Sequence, residues 1–259
     1  MNITNLLNKR EYDFIFNSYQ IDNHGENSTS RLRFWYEHIK KFSHDDSHGD
    51  IFEFGVFRGA SLISVAILLK RLGSKKQVYG FDTFGGFPNY DSEDSLDSFE
   101  NYRNIYFDES MIENYNILKK IRKNKIDTEV DMKNISSEGE FEDTSIEDIK
   151  KKIEYFELDN IQLVQGSFNE TLEGFFQDYK GNISSANIDC DLYGGYKMCL
   201  PFVWKNLSKD GFVHLDEYYS LKFPGARIAC EEFFEENNIR PTKMNTPDAE
   251  FERWALIKQ

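Results

Sequence analysis

Four carboxylates stand in two short runs, Asn187-Ile188-Asp189-Cys190-Asp191-Leu192-Tyr193 and His214-Leu215-Asp216-Glu217-Tyr218, each closing an apolar stretch. If those stretches are neighbouring strands, only ~5 Å apart, the acids repel one another unless a cation or protons neutralise them. An all-oxygen donor set suits Mg²⁺ or Mn²⁺ rather than zinc. The plainer alternative is that Asp189 and Asp216 cap the turns that follow and the other two are solvated, but two such pairs at successive strand ends weigh against it. His214 stands two residues before Asp216 and so shares its face of an extended strand. It reads as a hydrogen-bonded core histidine, with a second base as the alternative.

A second constellation comes earlier, Glu53-Phe54-Gly55-Val56-Phe57-Arg58-Gly59-Ala60-Ser61, followed by Asp82 at the end of the next apolar run. In an open parallel sheet ligands bind at the carboxyl ends of the strands, where glycines let a nucleotide approach backbone amides. An acid at the second strand end suits a ribose diol. Asp82 follows Gly55 by 27 residues, beyond the ~20 of the dinucleotide fingerprint, and the third glycine is missing. A pyrophosphate needs that three-glycine turn, whereas S-adenosylmethionine has no phosphate and presents only its carboxylate to it. The residues point to a nucleoside-type ligand, with a purely structural tight turn as the alternative and a nicotinamide oxidoreductase disfavoured.

The elements that must position these groups are an alternation of short apolar runs and amphipathic stretches, the βαβ pattern of a parallel sheet covered on both faces. Strands are expected at 51–54, 77–81, 161–165, 186–188 and 212–215, with a last one near 251–257. Helices are expected at 60–72, stopped by Gly73, from Ser145 to about 156, at 195–206 with a bend or late start at Pro201, and at 226–236. Residues 1–48 read as an N-terminal helical cap, with helices at 6–19 and 30–42, the second behind the cap residues Asn27, Ser28 and Thr29. Residues 91–143 break the rhythm. They are rich in Asp, Glu, Asn, Lys and Ser, hold one helix near 111–122, and read as an insertion too polar for a core of its own, acting as a mobile lid. The domain is therefore 49–259 with the lid at 91–143.

Composition narrows the partners. The chain has 259 residues, 31 basic and 45 acidic, for a net charge of −14, which repels phosphate backbones and anionic lipid headgroups. Nucleic acid and membrane are not expected as partners; a homo-oligomer stays open. No apolar run approaches the ~20 residues of a membrane span, and the first residues lack a signal-peptide core, so the expectation is a cytoplasmic protein. Cys190, Cys199 and Cys230 have no CxxC spacing and read as reduced thiols. His44 and His48 with Asp45 and Asp46 look like ligands but lie in a polar linker, and Tyr193, Tyr218 and Tyr219 read as packing in a chain with 14 Tyr and 23 Phe, with stacking on a sugar ring as the alternative.

Six segments share the order and spacing of one family: Phe52-Glu-Phe-Gly-Val-Phe-Arg-Gly-Ala-Ser61, Tyr79-Gly-Phe-Asp-Thr-Phe-Gly-Gly-Phe-Pro88, Gly166-Ser-Phe-Asn-Glu-Thr171, Ile188-Asp-Cys-Asp-Leu-Tyr193, Leu215-Asp-Glu-Tyr218 and Pro224-Gly-Ala-Arg227. The chain resembles the macrocin O-methyltransferase family over residues 31–234, the insertion apart. The resemblance implies a Rossmann-like class I methyltransferase sheet, mostly parallel with an antiparallel last strand. It implies S-adenosylmethionine and Mg²⁺ (or Mn²⁺) as cofactors, and methylation of a hydroxyl on a sugar or glycosylated metabolite. By motif position, Glu53, Gly55, Gly59 and Ser61 line the methionine end of the cofactor, Asp82 takes the ribose hydroxyls, and Thr83, Phe84 and Ser167 surround the adenosine. Asp189, Asp216 and Glu217 hold the metal and Asp191 is the general base. Glu217 replaces the family's usual Asp, and the insertion is longer than expected. The rivals are a catechol-type O-methyltransferase and a catalytically silent methyltransferase-fold binding subunit.

Overall fold

The computed structural model describes residues 6–17, 32–246 and 252–259; the expected cap residues Asn27, Ser28 and Thr29, and Phe251, lie outside them. The described strands are β1 (Asp50–Phe54), β2 (Val78–Asp82), β3 (Ile161–Gln165), β4 (Ile183–Ile188), β5 (Leu207–Leu215), β6 (Thr242–Lys243) and β7 (Trp254–Ile257). They form one sheet in the order β3-β2-β1-β4-β5-β7-β6. β7 runs antiparallel to both its neighbours and the other pairings are parallel, as expected. Chain order reverses between β1 and β4, so their carboxyl ends flank the crevice where ligands of such sheets bind.

The helices are α1 (Lys9–Asn17), α2 (Arg33–Phe42), α3 (Ala60–Leu72), α4 (Ser98–Asn101), α5 (Glu109–Ile126), α6 (Ile146–Tyr155), α7 (Phe168–Asp178), α8 (Tyr193–Asn206) and α9 (Pro224–Asn237). Helices α2, α3 and α6 contribute to the core on one sheet face and α7, α8 and α9 to that on the other. Alternation along β1 decides what each face receives: Phe52 and Phe54 enter the second core, Ile51 the first, and Glu53 is fully buried. α3 buries every residue from Ser61 to Leu69 and stops at Gly73, a left-handed cap. Pro201 lies inside α8, which nonetheless starts two residues earlier than expected and runs unbroken. The N-terminal helices dock through specific bonds. Trp35 Nε1 donates to Ser185 Oγ at 2.9 Å, and Arg71 holds the buried Glu11 of α1 at 2.8 Å.

Residues 91–143 correct the expectation that they are too polar for a core. Phe99, Phe107, Met111, Ile112, Tyr115 and Ile135 bury together, and Leu192, Leu221, Phe223 and Ile228 of the main body complete the cluster. α5 buries Met111, Ile112 and Tyr115 and leaves most of its charged side chains exposed. Asp94, 2% exposed, fastens the segment to the body by accepting the Tyr193 backbone N–H at 2.8 Å at the start of α8.

Candidate active site

The turn after β1 and the loop after β4 meet backbone to backbone. Gly55 has φ +89°, and a Cβ there would stand 1.9 Å from the Asp189 carbonyl oxygen, so only glycine lets the two loops close up. Both open into one cavity of about 440 Å³, within the range of small-molecule sites. Its lining holds Gly55, Ser61, Asp82, Thr83 and Ser167 together with Asp189, Asp191, Asp216 and Glu217. Three expected cofactor residues stand outside that lining. Glu53 is buried behind it, accepting from Ser61 Oγ and, at 2.9 Å, from Asn187 Nδ2. Gly59 begins α3 against the Ile149 side chain, and Phe84 is core, 7% exposed.

Asp82 does more than the sequence foresaw. Its Oδ2 accepts the Val56 and Phe57 backbone N–H groups at 2.6 and 2.9 Å, and Oδ1 accepts that of Phe84 at 2.7 Å. Phe57 has φ +50°, a costly conformation for a bulky residue. The carboxylate thus ties a strained turn to the end of β2 while lining the cavity.

The four acids are gathered differently from the expected triad. One oxygen each from Asp189, Asp191 and Glu217 lie within 4.8 Å of one another. Asp216 Oδ1 is 3.2 Å from His214 Nε2, and His214 is fully buried, a core histidine with an acidic partner. Asp191 has φ +63°, which turns it back toward the cluster. Burial, then the charges of Asp191, Asp216 and Asp189, push the Glu217 carboxyl well above the usual range. A group in that position holds a proton unless a cation replaces it. A close set of carboxylate oxygens is the kind of donor set a hard cation such as Mg²⁺ or Mn²⁺ takes.

The side chains that the insertion brings to the cavity were not foreseen. Leu118, Ser136, Glu138 and Phe141 of the insertion line the cavity with Phe57, Phe87 and Phe223. Phe141 lies 5.2 Å from Phe57 and 5.1 Å from Phe87 between ring centroids. In so aromatic a chain nothing in the sequence marks these rings. Tyr193 and Tyr218 bond to Glu232 and Glu231, whereas Tyr219 reaches the cavity. His48 stacks on Phe42 at 3.8 Å between ring centroids.

Solved structures share this fold. The O-methyltransferase NovP matches with a TM-score of 0.64 at 15% identity, over 99% of this chain and 97% of its own. CalS11, a calicheamicin methyltransferase, matches at 0.58 and 19%, over 97% and 93%, and an O-methyltransferase from Bacillus cereus in complex with SAH at 0.52 and 12%, over 97% and 92%. No curated protein matches the sequence. Sheet order, switch-point cavity and neighbours define a Rossmann-like fold that solved methyltransferases share. Within that class, the family described as Macrocin-O-methyltransferase (TylF) matches residues 24–115 and 120–254, and the chain belongs to it. It is an S-adenosylmethionine-dependent O-methyltransferase. Among the described residues no helix is long and apolar enough to cross a membrane.

Proposed function

We propose that the acceptor is a hydroxyl of a sugar or glycosylated metabolite and that a divalent cation, Mg²⁺ or Mn²⁺, works at the carboxylate cluster. The observation that supports this reading is the Gly55 to Asp189 contact, by which the turn after β1 and the acids share one cavity. Gly55 and Ser61 receive the methionine end, with Glu53 fixing the Ser61 hydroxyl from behind. Asp82 faces the ribose, and Thr83 and Ser167 the adenosine. Asp189, Asp216 and Glu217, the last two in side-chain hydrogen-bond contact, would hold the ion, which would orient the acceptor and lower the pKa of its hydroxyl. Asp191 takes the hydroxyl proton on a carboxylate oxygen. Positioning supplies most of the remaining help, and residues 91–143 form a lid that excludes water from the methyl transfer.

A second assignment of the acids rests on the trio of oxygens within 4.8 Å: Asp191 becomes a ligand, and Asp216, backed by His214, becomes the base. Asp189 and Glu217 belong to the ion in both.

The test is turnover with S-adenosylmethionine against neutral glycosides, sugar phosphates, uronic acids and catechols, with Mg²⁺ and with chelator, scoring S-adenosylhomocysteine. The reading predicts sugar methylation that needs the cation. Preference for a catechol overturns the acceptor, and cofactor binding with no turnover on any class makes the chain a silent binding subunit.

A further inference from the structure

Three basic side chains line the cavity: Arg58, Lys222 and Arg253. Arg58 pairs with Asp143 and donates through Nε to the Asp143 carbonyl at 3.0 Å, and Arg253 is likewise engaged. Lys222 differs. Only its backbone N–H is bonded, to Ser220 Oγ at 3.1 Å; its ammonium has no hydrogen bond or ion pair among the described residues. In a chain with 45 acidic and 31 basic residues, acids to pair with are plentiful. Six of them line the same cavity, yet none is within ion-pair reach of this lysine.

The loop that carries it is fixed. Ser220 Oγ accepts the N–H groups of both Lys222 and Phe223 at 3.1 Å, and Leu221 and Phe223 are buried in the insertion's core, 7% and 4% exposed. With its neighbours pinned inward, Lys222 presents three donors to the cavity from a rigid base. A hydrogen bond from an ammonium to an anion is stronger than one to a neutral acceptor, so an anionic group is the partner this lysine suits best.

We infer that the acceptor carries an anionic group, a phosphate ester or a carboxylate, and that Lys222 binds it outside ion-pair reach of the carboxylate cluster. The inference rests on the sugar-acceptor reading. It makes Lys222 the residue that selects a charged sugar over a neutral one, by a charge-assisted bond.

Calorimetry on protein saturated with S-adenosylhomocysteine, in chelator so that no anion bridges a metal, tests it with glucose 1-phosphate, glucuronate and methyl glucoside. Wild type should bind at least one anionic probe about tenfold tighter than the neutral one, and the phosphate or carboxylate preference identifies the group. Lys222→Met should bring the anions down to the neutral level, Lys222→Arg should keep most of the preference, and S-adenosylhomocysteine affinity should not change. Equal or undetectable binding of all three probes in wild type, or a preference that survives Lys222→Met, overturns the inference. So does a loss of S-adenosylhomocysteine affinity in Lys222→Met, which makes the lysine a cofactor residue. Turnover of neutral sugars without anion preference would sink this inference alone, whereas methylation of catechols only would sink the sugar reading beneath it.

Discussion

The Tyr196 hydroxyl lies 2.9 Å from Glu217 Oε2, 3.1 Å from the Glu217 backbone nitrogen and 2.7 Å from the Ile188 carbonyl oxygen, and Tyr196 itself is fully buried. It accepts the Glu217 N–H and has one proton to give, to the carbonyl or to the carboxylate. One side chain thus ties the end of β4 to the acid after β5.

Tyr196→Phe removes that tie without removing the ring. Buried polar groups left unpaired should cost about 1–3 kcal/mol, measured by urea denaturation. A ligand freed from its supporting bond should lose about 10–100-fold in metal affinity, measured by Mn²⁺ titration with paramagnetic resonance. Unchanged stability together with unchanged Mn²⁺ affinity would make the contact incidental.

Asp82 is expected to act through the turn as well as through the ribose. Asp82→Ala strands the backbone N–H groups of Val56, Phe57 and Phe84, so unfolding should become easier by about 1–3 kcal/mol or more. S-adenosylhomocysteine affinity should fall at least about tenfold. An analogue lacking the ribose hydroxyls separates the two roles: it should lose less than the parent ligand when Asp82 is removed. Equal losses would leave Asp82 a purely structural clamp.

Acid should loosen the N-terminal cap. Burial, then the nearby His48, lowers His38 to about 4, and burial lowers His48 also. Both imidazoles pack against β4, His38 at the Ser184 carbonyl and His48 at the Ser184 hydroxyl. The unfolded chain then binds more protons than the folded one between about 6.5 and 4, so stability is full above 6.5 and lost as pH falls through that window. His38 alone accounts for at most about 3 kcal/mol. His38→Phe keeps the rings beside Phe42 and Phe212 and should flatten the dependence of urea stability between pH 7 and 4.5; curves that stay parallel would contradict this.

How far the chain could be read depended on whether a signal was local. α3 falls on its expected span because an apolar face ends at a glycine free to adopt the left-handed cap, and β3 falls on its expected bounds. α7 was as legible, since Ser167 and Glu170 form a reciprocal capping box and Phe168, Leu172, Phe175 and Phe176 recur at helical spacing against the second core, yet it is absent from the expected helices. The switch-point site was legible from Gly55 and the strand-end acids. Which acids converge was not, since strand twist and the positive φ of Asp191 decide where each carboxylate points. Nor was the insertion's core, whose partners Leu192, Leu221 and Phe223 come from distant loops.

The central claim is the division of labour among the four acids, and the most direct measurement is Asp191→Asn followed by Mn²⁺ affinity and Mg²⁺-dependent turnover side by side. The account predicts Mn²⁺ binding close to wild type with kcat lower by ~10²–10⁴, the usual worth of a general base. Asp189→Asn, Asp216→Asn and Glu217→Gln should instead lose metal affinity and recover part of their rate at high Mg²⁺. Loss of Mn²⁺ binding in Asp191→Asn, or near-normal turnover there with Asp216→Asn dead at saturating Mg²⁺, would contradict it and move the base to Asp216 and His214.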